Sequence, residues 1–367
     1  MSARFLTVVL ERAFNMRDGF GREIDYMRIS VIDSCNLNCY YCNPCDNNEH
    51  CHALNILSVK EVLCIVRAAT RLGIKHFRLT GGEPLLHPQL DEMVLQIKKI
   101  PGVSSVSLTT NAVLLAQHAK WLKEAGIDSI NVSLDTIDAS EYERITKKPL
   151  LEEVKHGINA AIECGIRVKI NVVLTPQTDV VALTRYASKK GTDIRFIEMM
   201  PVGEGHTNGV EPYEKVIGAL LEVYGTPCHI DTENRKEINS GYNNADNGPA
   251  EYYSFHGLDI RVGLIQAIHG KFCDTCNRIR VTADGRLMPC LGSSVTMDLV
   301  PDSCEFTDDL EKDFVIVQAL KAAIKAKPGC HNFNDNAVTY TKTTETKTTE
   351  IEAAEVNAAR NMSRIGG

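Results

Sequence analysis

From about residue 27 the chain alternates between short runs rich in β-branched and aromatic residues and longer stretches with helical spacing. The runs are MRISVI (27–32), HFRLTG (76–81), SVSLTT (105–110), SINVSL (129–134), VKINVVL (168–174) and DIRFIE (193–198). Between them, Val59, Val62, Leu63 and Val66 share one helical face, as do Val154, Ile158, Ala161 and Ile162, with Gly165 placed to cap the second helix. Six consecutive strand–helix units predict a parallel sheet with helices outside it, either open or curling towards a barrel. In both arrangements ligands gather at the C-terminal ends of the strands. The residues expected there are Thr80-Gly81-Gly82-Glu83, Thr109-Thr110-Asn111, Ser133 with Asp135, and Glu198-Met199-Met200.

After about residue 201 the alternation stops. INSGYNNADNGPAEYY (238–253) reads as a loop or hairpin region, a helix is expected around 310–326, and TYTKTTETKTTE (339–350) is polar and of low complexity. No internal repeat is present. These shifts divide the chain into an N-terminal extension (1–22), a core (23–225), a C-terminal region (226–335) and a tail (336–367).

Composition changes this picture in two respects. The chain's 367 residues leave room for one large α/β domain and a smaller one. A net charge of −7 argues against general nucleic-acid binding, so any phosphate-bearing ligand has to be held by a local group of Arg and Lys. No run of about 18 apolar residues suggests a membrane span, and the first 30 residues lack the marks of a signal or transit peptide. A cytoplasmic protein is the expectation.

Thirteen cysteines are many for such a protein, and six of them form two tight groups. CNLNCYYC follows the first strand and holds Cys35, Cys39 and Cys42; CDTCNRIRVTADGRLMPC holds Cys273, Cys276 and Cys290. In a reducing compartment such groups bind metal more often than they form disulfides. Each group has three thiols where zinc or a cubane cluster takes four ligands. Cys45, His50, Cys51 or His52 would complete a zinc site in the first, and Cys304 would complete the second, whose spacing also suits a zinc knuckle. Arg278 and Arg280, two residues apart within the second group, point to one side of an extended strand and suit bidentate capture of phosphate.

CNLNCYYC after a strand, followed by FRLTGGEP, resembles the radical S-adenosylmethionine (SAM) enzymes. Joined to the second group with its R-x-R, and to DGFGREIDYMRISVIDSCNLNCYYCNP, SLTTN, INVSLD, VKINVV, RFIEMMPVG and the terminal NMSRIGG, it resembles the GTP 3′,8-cyclase family of molybdenum cofactor biosynthesis nearly end to end. That resemblance implies an α/β fold with a partial (βα)6 TIM-like barrel over 23–225, a smaller α+β region over 226–335 that binds a second cluster, and a flexible Gly-Gly tail. It implies two [4Fe–4S] clusters and SAM as cofactors. Cys35, Cys39 and Cys42 would hold the first cluster and leave one iron to SAM; Cys273, Cys276 and Cys290 would hold the second, whose open iron takes the guanine ring. Tyr41, Gly82, Ser133 and Met200 match positions that contact SAM, with Gly81 beside them and Glu83 as an acceptor for its amino group. The missing Cβ atoms of Gly81 and Gly82 would let backbone approach that amino group. Arg28, Arg78, Thr109, Lys169, Arg278 and Arg280 match positions that hold GTP, and Gly366 and Gly367 match a tail that assists catalysis.

As partners the family implies GTP as substrate, a pyranopterin monophosphate synthase receiving the product, an electron donor of flavodoxin or ferredoxin type, and a homodimer, with neither nucleic acid nor membrane. Some positions depart from the family pattern: Ser34 stands where Arg is common, Asn43-Pro44 replaces Met-Pro, and Cys45 and Cys51 crowd the first group. Two other readings stand beside this one. A two-cluster radical SAM enzyme would act on another substrate such as a peptide, and a zinc-stabilised scaffold would bind a nucleotide without turnover.

Overall fold

The computed structural model describes residues 16–42, 55–202, 211–230, 248–293, 295–299, 309–331 and 333. In chain order the principal elements begin with β1 (Tyr26–Ser30), α1 (Val59–Thr70), β2 (His76–Thr80), α2 (Leu90–Lys98), β3 (Ser105–Thr110), α3 (Leu115–Glu124) and β4 (Ser129–Ser133). There follow α4 (Ala139–Thr146), α5 (Leu151–Glu163), β5 (Arg167–Val173), α6 (Val180–Lys190), β6 (Asp193–Ile197), α7 (Pro212–Tyr224) and β7 (Cys228–Ile230). The last are β8 (Glu251–Ser254), β9 (Val262–Ile265), β10 (Arg278–Val281), β11 (Arg286–Met288), β12 (Met297–Asp298) and α8 (Asp309–Lys325). All six expected strands form, each within a residue or so of the sequence reading. Among the described residues no helix is long and apolar enough to cross a membrane.

The chain divides into two compact units, both discontinuous. The first takes Met1–Asn36, Cys45–Ser107 and Cys273–Gly367; the second takes Leu37–Pro44 and Leu108–Phe272. The boundary expected near 225 falls inside the second unit, because β9 continues that unit's sheet.

In the first unit β1 is the central strand, pairing in parallel with β2 on one side and β10 on the other. From β10 the sheet continues antiparallel through β11 to β12. One face is apolar, with Met27, Ile29, Phe77, Leu79 and Val281 all at 0% exposure. Helix α1 covers apolar surface with Val62, Cys64, Ile65, Val66, Ala68 and Ala69, and begins at a capping box in which Ser58 and Glu61 satisfy each other's backbone N–H groups.

The second unit repeats the scheme. Strands β4, β5, β6 and β9 run parallel, and β9, β8 and β7 then run antiparallel. Ile130, Val132, Ile170, Val172, Ile194, Phe196 and Val262 form the buried apolar face. Polar residues occupy alternate positions, so the opposite face is chemically distinct.

Helix α5 packs closely on the turn after β3. A Cβ built on Gly157 would lie 2.3 Å from the Ala112 carbonyl oxygen and 3.0 Å from Leu115 Cβ. Gly157→Ala should therefore destabilise the protein by about 1–3 kcal/mol through overpacking, although the same change in an exposed helix stabilises by nearly 1 kcal/mol. Denaturant midpoints of the two proteins decide the sign.

Candidate active site

On the polar face of the first unit, three arginines stand side by side. The register places Arg28 opposite Arg280 on β10 and opposite Arg78 on β2, with Tyr26 opposite Arg278. Arg78 and Arg280 are only 3% and 8% exposed. The strand positions on this face are Tyr26, Arg28, Ser30, His76, Arg78, Thr80, Arg278 and Arg280, with no carboxylate among them. Neighbouring strands are ~5 Å apart, so an adjacent guanidinium pair at that spacing repels by roughly 3 kcal/mol at an effective dielectric of about 20. Burial and the neighbouring Arg280, Arg78 and Arg278 pull Arg28 well below the usual arginine range, with Tyr26 opposing. Burial and Arg278 likewise bring Arg280 down to about 10. The downward pull on both reflects an electrostatic cost that an anion would relieve. Tyr26 relieves part of it: its phenol oxygen accepts from Arg78 Nε, and although burial opposes ionisation, Arg78 and Arg28 bring its pKa below the ordinary value.

The second cysteine group adjoins this row. Cys273 is buried and Cys276 and Cys290 are half-buried. Burial pushes the Cys273 thiol up, as do the nearby Cys290, Cys276 and Cys330, against the N–H of His331. Burial also acts on Cys276, but Arg278 and Lys327 outweigh it and hold the thiol below its ordinary value. Among the described residues no group of three or more His, Cys, Asp or Glu side chains stands at metal-binding distances. The fit to an iron–sulfur cluster accordingly rests on the donor chemistry: three neighbouring thiols, of which Cys276 stands beside cations that favour its ionised form.

The loop after β1 is pressed onto the residues after β2. The Gly82 N–H donates to the Ile32 carbonyl at 2.7 Å and the Glu83 N–H to the Ser34 carbonyl at 2.8 Å. A Cβ on Gly81 would lie 2.4 Å from Ile32 O, and one on Gly82 would lie 2.1 Å from Ser34 O. The sequence reading assigns these missing side chains to the approach of SAM; the structure shows that the chain's own cysteine-bearing loop already requires them. Glu83 is 1% exposed and accepts from the Leu85 N–H at 3.0 Å, so it also caps the turn at Pro84–Leu86.

In the second unit, the Asn38 and Tyr40 N–H groups donate to the Thr146 and Ile145 carbonyls at the end of α4, and the Cys42 N–H donates to the Cys39 carbonyl at 2.9 Å. These bonds shape the loop that carries Cys39, Tyr41 and Cys42. The Tyr41 hydroxyl donates to Asp135 Oδ2 at 2.5 Å, while Asp135 Oδ1 accepts from the Val173 N–H at 2.8 Å. Ser133 is exposed at the end of β4, and Met200 is half-buried after β6. On the polar face, Lys169 is 1% exposed and stands opposite Asn131, whose buried Oδ1 has no hydrogen-bond partner among the described residues. Thr109 Oγ1 is likewise buried without a partner among them. Groups in this state await a ligand or water.

The sequence reading missed Tyr26, Asn131, Asn171 and Arg195. Arg195 is 3% exposed and donates through Nε to Asn171 Oδ1 at 3.0 Å. Strand parity was the available signal for the first three, each two residues from a residue already assigned, whereas Arg195 is reached only through the register that sets it opposite Asn171. The expected Gly366 and Gly367, and also Cys45, Cys51 and Cys304, lie outside the described residues.

Two outcomes follow. Gly82→Ala should displace the loop bearing Cys35, so reconstituted protein should lose roughly half its iron, one cubane of two, with the rest retained. Burial raises Asp135 to about 6, against its bonds from Tyr41 and the Val173 N–H. A raised carboxyl contributes stability below about pH 4, the ordinary value, and loses it as pH rises through about 6. The stability of the wild type relative to Asp135→Asn should therefore fall between pH 4 and 7, read from denaturant midpoints.

Comparison with known proteins agrees with this geometry. A Radical SAM superfamily model matches residues 29–184, and a Molybdenum Cofactor Synthesis C model matches residues 192–333. The GTP 3′,8-cyclase of Clostridium perfringens (strain SM101) is 36% identical over 322 residues, spanning 87% of this chain and 95% of that protein. The GTP 3′,8-cyclase of Pelotomaculum thermopropionicum is 37% identical, spanning 86% and 95%. Among solved structures, Streptococcus suis SuiB bound to S-adenosylmethionine aligns with a TM-score of 0.54 at 15% identity, covering 80% of this chain and 65% of that one. That likeness concerns the fold alone, which is the α/β partial-barrel class of radical SAM enzymes expected from the sequence. The chain belongs to the GTP 3′,8-cyclase family within the radical SAM superfamily.

Proposed function

We propose that this chain converts GTP to 3′,8-cyclo-7,8-dihydro-GTP, the first step of molybdenum cofactor biosynthesis. The observation that carries the reading is the buried row Arg280–Arg28–Arg78, which has no carboxylate on its strand face. Such a row favours a polyanion nearby, and a nucleoside triphosphate supplies one. Arg28, Arg78, Thr109, Lys169, Arg278 and Arg280 are assigned to GTP. Cys35, Cys39 and Cys42 are assigned to the first [4Fe–4S] cluster and Cys273, Cys276 and Cys290 to the second. Tyr41, Gly81, Gly82, Glu83, Ser133 and Met200 are assigned to SAM.

When bound, the clusters and SAM supply a 5′-deoxyadenosyl radical able to take a hydrogen atom from C3′ of the ribose. The protein's own part is orientation. Arginines fixed on three adjacent strands hold phosphate oxygens in a set direction, so the C3′–H and guanine C8 are presented in one geometry rather than many. Asp135 holds the Tyr41 hydroxyl, and the Gly82–Ser34 contact holds the cysteine loop, so neither has to be ordered during reaction. The Gly366-Gly367 tail is assigned a role in assisting catalysis, the product to a pyranopterin monophosphate synthase, the reductant to the flavodoxin or ferredoxin class, and the assembly to a homodimer.

The direct test supplies reconstituted protein with dithionite, SAM and GTP deuterated at C3′, under anaerobic conditions, and weighs the 5′-deoxyadenosine. Deuterium in that product, dependent on GTP, is expected. Abundant unlabelled 5′-deoxyadenosine would instead identify another substrate, a peptide included. A second expectation concerns the arginine row. Arg28→Met should stabilise the ligand-free protein by about 1–3 kcal/mol, since it removes a repelled charge. The same change should weaken GTP binding by roughly 30- to 1,000-fold, the usual cost of truncating a buried charge contact. Thermal shifts with and without GTP measure both.

A further inference from the structure

The second cysteine group is fastened by a residue outside it. Lys327 follows α8 and is 3% exposed. Its ammonium donates to the Arg278 carbonyl at 2.8 Å and to the Pro289 carbonyl at 2.9 Å. Those carbonyls belong to the two arms of the group, since Arg278 lies two residues after Cys276 and Pro289 directly precedes Cys290. Its charge also acts on the nearby Cys276 thiol. Two of the ammonium's hydrogen bonds are thus committed to the two arms of one group of ligands.

The segment behind Lys327 is held in turn. Arg22, ion-paired with Asp18 at 2.6 Å, donates to the Pro328, Gly329 and Cys273 carbonyls at 2.6, 3.0 and 2.6 Å. Residues 327–329 therefore form a strap, tied by Arg22 at Cys273 and by Lys327 at Arg278 and Pro289. Among the described residues no carboxylate pairs with Lys327: Asp18 is engaged by Arg22, and the neighbouring Arg278 and Arg280 are positive. A buried ammonium in such company is costly without a negative partner. Carbonyl dipoles supply part of the compensation, and a thiolate-ligated cluster, whose negative charge grows on reduction, supplies the rest.

We propose that Lys327 is a positioning residue for the second cluster: its ammonium holds the two cysteine arms together and, set against Cys276, raises that cluster's reduction potential. The inference rests on the assignment of Cys273, Cys276 and Cys290 as ligands made above. Its physical basis is that hydrogen bonds to ligating sulfur and buried positive charge both favour the more negative, reduced state.

The test uses full-length reconstituted protein and needs no turnover. Iron content and potentiometric EPR titrations of both clusters are compared for wild type, Lys327→Met, Lys327→Gln and Lys327→Arg. In the Met and Gln variants the reduced-to-oxidised ratio of the second cluster at fixed potential should fall about tenfold, ~59 mV for one electron. The first cluster should not move, and Arg should restore most of the shift. If the Met variant does not hold the second cluster, the Gln variant, which keeps an amide donor for the carbonyls, carries the measurement. Loss of the second cluster alone in both variants, restored by Arg, also supports the proposal. A fully loaded second cluster with an unchanged potential in Met or Gln overturns it, as does loss of both clusters together, which marks general unfolding. Wild type holding a single cluster, on Cys35, Cys39 and Cys42, would overturn the ligand assignment itself, and is seen before any variant is made.

Discussion

Like charge on a buried sheet face is the constraint around which the first unit is organised. Parallel pairing sets Arg28 between Arg280 and Arg78 with no freedom to stagger, because the backbone register fixes their Cα atoms side by side. The apolar face has to supply the stability that this row removes, and Met27, Ile29, Phe77 and Leu79 are fully buried beneath it. Stability and function are thus drawn from opposite sides of the same three strands. The division is possible because side chains alternate with a period of two.

The second unit shows a milder form of the same arrangement. Lys169 and Arg195 are buried among amides, with Asn131 opposite Lys169 and Asn171 bonded to Arg195. Asp193, at the start of β6, is committed to Arg261 through the backbone N–H at 3.0 Å and the guanidinium at 3.1 Å. That pair is structural: it fastens β6 to the approach of β9.

Much of this was legible in the sequence, and the exceptions have a common cause. The six β/α runs are local signals, and β2 through β6 form where period-two alternation and helical spacing place them. The thiol groups and Arg278 with Arg280 are legible because ligand spacing and strand parity are also local. Pairing of β10 beside β1 joins residues some 250 positions apart, at Tyr26 and Arg278, and no local pattern announces it. The same holds for β9 beside β6, in a stretch whose Asn- and Gly-rich approach reads as loop. Lys327 was invisible for a further reason, as one lysine past a helix end has no spacing relation to the cysteines it serves. Gly81 and Gly82 were singled out for the approach of SAM, and the fold adds a contact with the loop after β1 that no local pattern announces. Sequence shows that a Cβ is absent, whereas only the fold shows what occupies the space.

That space has a consequence for how the protein is assembled. Backbone packed against backbone, with the Gly82 N–H on Ile32 O and the Glu83 N–H on Ser34 O, makes the loop leading to Cys35 and the loop after β2 a single mechanical part. Chain fixed for one purpose is then already fixed for the other, so the conformational entropy of ordering the pair is lost once rather than twice. A substitution that moves either loop therefore moves the other with it.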